Sequence, residues 1–174
     1  MTIEELGAKS ARAAIPDLAV VLADCVAGGA SVSFMDDFGL AEAAAFFKGV
    51  FESVGRGDTI LLAARDGRRI VGSVQLGLDT PPNQPHRADV KKLLVHRAAR
   101  GSGVGEALMR EVEAIARREG RTLLTLDTVT GDAGWRLYKR LGWQEAGVIP
   151  DYALYPNGHY CDTTIFWKKV SAHA

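Results

Sequence analysis

Apolar residues recur along this chain with two different periods, and the switches between them divide it into elements. From Gly103 to Gly120, Val104, Leu108, Val112 and Ile115 fall at intervals of four, four and three, one face of a 3.6-residue helix. Glu106 stands four before Arg110 and Glu113 four before Arg117, the favourable order for ion pairs along a helix. Arg117, Arg118 and Gly120 suit a helix end. Residues 10–27, rich in Ala, Leu and Val, predict an earlier helix, with Pro16 near the first turn, where a missing N–H costs least. A further helix is predicted over residues 40–54, turning Phe46, Phe47, Val50 and Phe51 inward, and another over 132–141. Strands are predicted at 3–6, 59–65, 69–78, 89–95, 122–128, 143–149 and 160–168. Asp66-Gly67 joins the second and third as a hairpin. Residues 28–34 and the segment 79–87, with Pro81, Pro82 and Pro85, read as loops. No repeat or linker divides the chain, so residues 1–174 are expected to form one α/β domain.

Composition narrows the class. The 21 basic and 21 acidic residues cancel, which argues against wholesale binding of nucleic acid or an anionic membrane. The longest apolar stretch, residues 18–25 interrupted by Asp24, is far short of a bilayer span, and MTIEELGAKS lacks a secretory signal pattern. A cytoplasmic location is the expectation. Cys25 and Cys161 make neither a disulfide framework nor a metal site, and His86, His96, His159 and His173 have no ligand spacing. No metal is expected.

Any anion site must therefore be local, and one stretch builds it. The strand ending at Val95 runs into a basic loop, Arg97 to Arg100, then into Gly101-Ser102-Gly103-Val104-Gly105 and the helix. Glycines allow close approach of a ligand to the backbone, and amides in the first helical turn lack intrahelical partners. The positive end of the helix dipole adds attraction, and Arg100 stands at the lip, where its fork could reach a phosphate. A triphosphate loop needs a Lys after the last glycine, which is absent. A dinucleotide fold has one point in its favour, Asp127, 22 residues after Gly105, but its fingerprint is Gly-x-Gly-x-x-Gly.

Arg100-Gly101-Ser102-Gly103-Val104-Gly105 resembles the Arg/Gln-x-x-Gly-x-Gly/Ala signature of the GNAT N-acetyltransferases. Leu137-Tyr138 and Gly142-Trp143 resemble that family's following Leu-Tyr-x-x-x-Gly-Phe, with Gly131 standing where its last helix often opens on Asn. Gly28-Gly29-Ala30-Ser31-Val32, Arg87-Ala88-Asp89-Val90 and Leu126-Asp127-Thr128 are similar to the tabtoxin-resistance acetyltransferases. The resemblance implies the GNAT fold: a central mixed, mostly antiparallel twisted sheet of six to seven strands flanked by about four helices. It implies acetyl-CoA as cosubstrate, held by Leu93, Leu94 and Val95 along a bulged strand and by Arg100, Gly101, Ser102, Gly103, Val104 and Gly105. It further implies transfer to a small amino-acid-like amine, including a tabtoxin-type β-lactam, by a monomer or homodimer. A peptide N-acetyltransferase and a CoA-binding regulatory module remain the alternatives.

Three residues are expected to carry the chemistry. Tyr138 would hydrogen-bond the sulfur as the thioester breaks; its plainer reading is a core aromatic. An amine of pKa near 10.4 must lose a proton before attack, at a cost of about 4.6 kcal/mol at pH 7. Asp127, at the end of its strand, or Asp89, at the start of another, could hold the ammonium or take that proton through a water. Asp36, Asp37, Tyr152 and Tyr155 are candidates to wall the acceptor pocket, with the segments 28–34 and 151–158 around them.

Overall fold

Alternation along one strand organises the protein. In the computed structural model, which describes residues 1–170, strand β2 (Thr59–Asp66) sends Leu62 and Ala64 to one core and Leu61 and Ala63 to another. Each face of the sheet thus needs its own cover. Helices α1 (Ala11–Ala27) and α2 (Leu40–Arg56) bury Leu18, Leu22 and Phe47 over one face. Helices α3 (Val104–Arg118) and α4 (Ala133–Arg140) bury Leu108, Met109 and Tyr138 over the other. The remaining strands are β1 (Thr2–Glu5), β3 (Arg69–Gly77), β4 (Arg87–Val95), β5 (Leu123–Val129), β6 (Gln144–Leu154) and β7 (Tyr160–Lys169). They pair in the order β1-β2-β3-β4-β5-β7-β6. All contacts are antiparallel except β4 with β5.

That exception creates the site. The parallel pair is joined only at Arg87↔Leu123, Ala88↔Leu124 and Asp89↔Thr125, after which the strands part. On the other side of β4, Ser73 pairs with Leu94 but Gln75 with Lys91, so β4 carries one extra residue there. This bulge leaves Lys92 and Leu93 without partners on β3, with Lys92 at φ +50°.

Several expectations are corrected. Helix α1 starts at Ala11, so Pro16 lies in its second turn, where the bond residue 16 would donate to the Arg12 carbonyl is missing. Phe46 packs against the core as expected but is only half-buried, edge-on to Phe34 and Phe47. Glu113 is buried: it accepts from Trp143 Nε1 at 3.1 Å and from Lys168 Nζ at 2.8 Å, and Arg117 is only a distant third partner at 3.9 Å. Strand β6 runs on to Leu154, absorbing half of the predicted 151–158 loop through a bulge at Pro150–Tyr152. Glu106 and Arg110 do pair, at 2.7 Å. His173 lies outside the described residues, and among the described ones no group of metal-ligating side chains occurs. No described helix is long and apolar enough to cross a membrane.

Candidate active site

The parting of β4 and β5 opens a cleft of about 1440 Å³ that passes between the glycine loop, α4, the loop after α1 and the end of β6. At one end lies the glycine loop expected to cradle an anion. Gly101 and Gly103 adopt φ +76° and +86°, the left-handed region that L side chains avoid. The chain turns there so that the backbone amides from Gly101 to Glu106 donate to no acceptor among the described residues. Consecutive amides without acceptors at a helix start are the backbone arrangement that suits an anion. Gly105 is different: a Cβ there would lie 3.2 Å from Leu137 Cδ2, so its role is close packing of α3 on α4.

Arg100 departs from the expected geometry. Its side chain turns back from the lip, donating from Nε to the Val95 carbonyl at 3.2 Å and lying 4.0 Å from Cys25 Sγ. Cys25 Sγ also donates to that carbonyl at 3.5 Å. The Val95 carbonyl thus already has two protein donors, whereas Leu93 in the bulge has no partner on β3. Leu93 and Val95 are half-buried and Leu94 fully buried, as a core strand requires. Ser102 closes the loop by donating to Ala99 O at 2.7 Å.

The other end of the cleft holds Tyr138 and Asp127. Tyr138 is buried, its ring 5.9 Å from both Trp143 and Phe166, while it still lines the cleft. Burial, and secondarily the charge of Asp127, push its phenol far above the ordinary value. It is a proton-retaining donor at any working pH. Asp127 is exposed to the cleft and lies in the interior of β5, opposite Ile165, rather than at the strand end. Asp89 is committed elsewhere: Arg87 and the Thr125 hydroxyl both bond its Oδ1, tying β4 to β5 where they part.

Residues 30–143 match the model of the Acetyltransferase (GNAT) family. The chain belongs to that family. It is 35% identical over 86 residues to N-acetyltransferase 8F1 of Rattus norvegicus, covering 48% of this chain but only 39% of the rat protein. It is 28% identical over 106 residues to an IAA acetyltransferase of Azospirillum brasilense, covering 60% of this chain and 67% of that enzyme. The fold matches that of yncA from Salmonella typhimurium, solved with its cofactor acetyl-CoA, at a TM-score of 0.77 and 18% identity over 100% of this chain and 96% of the other. The GNAT fold expected from the glycine motif, a seven-stranded mixed sheet with four α-helices, is the fold present.

Within this GNAT cleft, the two segments expected to wall the acceptor meet directly: Ser31 Oγ donates to Leu154 O at 2.7 Å. Tyr152 and Tyr155 line the cleft; Asp36 and Asp37 are not among its lining residues, and the Asp36 amide donates to the Pro156 carbonyl at 3.3 Å. His96 caps the turn after β4, its Nδ1 accepting from the Ala98 amide at 3.2 Å, and faces Asp24 at 3.7 Å. Asp24 is partly desolvated, which raises its pKa, but hydrogen bonds from Arg97 outweigh this and hold it below the usual value. That pair anchors the basic loop to α1. Sequence reasoning missed Lys92, which lines the cleft and donates from Nζ to Ser33 Oγ at 2.7 Å. The only available signal was the pair of lysines interrupting an apolar strand, and its meaning depended on a bulge.

Proposed function

We propose that this protein transfers the acetyl group of acetyl-CoA to the amine of a small amino-acid-like molecule, by direct attack in a ternary complex. One observation carries the reading: a single cleft joins six free amides at a helix start to a buried, protonated phenol and an unpaired carboxylate. The residues present fit the cosubstrate. Amides of Gly101 to Glu106 would hold the pyrophosphate, and the bulged edge of β4 around Leu93 offers backbone groups to the amides of the pantetheine arm. Acetyl-CoA, when bound, supplies an activated thioester.

The chain's own side chains handle the protons. Asp127 holds the acceptor's ammonium and takes its proton through water, giving the lone pair that attacks. Tyr138 donates a hydrogen bond to the sulfur as it gains charge; its raised pKa favours hydrogen-bond stabilisation over complete proton transfer. Asp89 serves as a positioning residue through Arg87 and Thr125. Neither cysteine is needed, and Cys25 is kept as a thiol by burial, which raises its pKa against the opposing effect of Arg100.

The test is thiol release from acetyl-CoA across simple amines, amino acids, a tabtoxin-type β-lactam dipeptide and peptides with free N-termini. Turnover confined to the amino-acid-like group is expected. Acetyl-CoA binding with no turnover on any amine would make the protein a CoA-binding module. Turnover on peptide N-termini alone would reassign the acceptor.

A further inference from the structure

Lys92 and Asp127 are opposite charges that line the cleft with no ion-pair partner among the described residues. Lys92 is carried by the β4 bulge, and its side chain reaches the loop after α1, where Nζ donates to Ser33 Oγ at 2.7 Å and lies 5.8 Å over the Phe34 ring. An ammonium has three protons to donate, and this one has a single hydrogen-bond acceptor. No carboxylate lies within ion-pair distance of Lys92 or ammonium within that distance of Asp127 among the described residues, although both line the cleft. Of the other acids lining the cleft, Asp89 is bound by Arg87 and Glu106 by Arg110 at 2.7 Å, while Asp132, at the start of α4, has no ion-pair partner among the described residues. Burial lowers the pKa of Lys92; the charge of Asp127 opposes that lowering and the charge of Lys91 adds to it.

A half-buried cation facing an unpaired carboxylate is complementary to a zwitterion. We infer that Lys92, held by Ser33, recognises the carboxylate of an acceptor whose amine is held by Asp127, so that the protein selects amines bearing a nearby acid group. This rests on the reading of the cleft as an amine-acetylation site. It adds a requirement that reading does not contain, namely a negative charge on the acceptor.

The experiment compares free L-amino acids with their carboxamides and methyl esters as acceptors, by thiol release at saturating acetyl-CoA. The wild type should favour the acid over the amide in kcat/KM by about 10- to 100-fold, the range that a charge-assisted hydrogen bond supports. In Lys92→Met that ratio should fall towards one, and in Lys92→Arg it should largely persist. Equal use of acid and amide by the wild type would overturn the inference without any variant being made. So would a Lys92→Met enzyme with an unchanged ratio, or one whose defect is confined to the KM for acetyl-CoA, which would give Lys92 to the cosubstrate. If no amine of any kind is acetylated, the failure belongs to the proposed reaction and the specificity assignment falls with it.

Discussion

Replacing Tyr138 with Phe removes a hydroxyl that has no hydrogen-bond partner among the described residues. The ring contacts with Trp143 and Phe166, both at 5.9 Å, are retained, and no hydrogen bond among the described residues is broken. Stability at pH 7 should therefore change by less than about 1 kcal/mol. Catalysis should not be spared. A hydrogen bond to a charged partner is worth about 1.5–3 kcal/mol, which corresponds to about 10- to 150-fold in kcat if it forms mainly as sulfur gains charge. The assay is thiol release for kcat, with acetyl-CoA affinity measured separately by calorimetry and expected to be nearly unchanged. An unchanged kcat would return Tyr138 to the role of a core aromatic. A large fall in melting temperature would mean that the hydroxyl has a structural partner.

The same variant has a pH signature with a definite sign. The folded phenol has its pKa raised by burial and by Asp127, while in the unfolded chain it ionises near the ordinary value of about 10. Above that pH the unfolded state binds fewer protons than the folded state. Stability from this group therefore falls with rising pH, by about 1.4 kcal/mol per unit, until the folded pKa is reached. Phe cannot ionise, so Tyr138→Phe should overtake the wild type in stability near pH 11. Parallel denaturation curves at pH 7 and pH 11 would refute the burial argument.

Three other substitutions probe separate parts of the structure. Gly103→Val puts a β-branched side chain at φ +86°, costing about 2 kcal/mol or more, and should lower the melting temperature by about 4–8 °C while abolishing the stabilisation given by acetyl-CoA. Full retention of that stabilisation, or an equal response to NAD, would remove the loop from cosubstrate binding. Glu113→Ala strands Lys168 and the Trp143 indole in a buried site and should cost about 3–5 kcal/mol, read by urea unfolding; a loss below about 1 kcal/mol would mean that the cluster behaves as a surface pair. Asp127→Asn should impair turnover most near neutrality and least at high pH, where the acceptor amine is already deprotonated. Parallel pH profiles for the two enzymes would exclude proton transfer through Asp127.

Legibility differed between elements for physical reasons. Helix α3 could be read because its apolar face, its Glu106–Arg110 pair and its terminal glycine all report local preferences. The glycine loop could be read because left-handed φ at Gly101 and Gly103 is a local demand that only glycine meets cheaply. Glu113 could not be placed, since its spacing to Arg117 is satisfied equally by an exposed helix face and by burial beneath Lys168, 55 residues away. Asp89 looked available for the same reason: the Thr125 hydroxyl that engages it comes from a strand 36 residues on. The end of β6 is not legible in the sequence because Pro150 and Asp151 break the alternation, whereas in the structure the break is a bulge at an edge, where pairing with β7 resumes at Ala153.

The bulge in β4 ties these limits to function. Strict alternation would leave Lys91 and Lys92 on opposite faces of the sheet and close the ladder to β3 without interruption. One additional residue turns Lys92 towards Ser33 and frees the backbone at Leu93 beside the gap where β4 and β5 part. Both proposed uses of this strand, holding the cosubstrate's arm and reading the acceptor's charge, depend on that single insertion in the ladder. No side chain demands it: Lys92 at φ +50° is tolerated rather than preferred, so the cause must lie in tertiary pairing. The parallel junction at Asp89↔Thr125 fixes one end of the strand, and the pairing of Val95 with Gly72, where the β-carbon of any larger residue would meet Leu94 O at 2.9 Å, fixes the other. With both ends held, the extra residue has nowhere to go but outward, into the cleft.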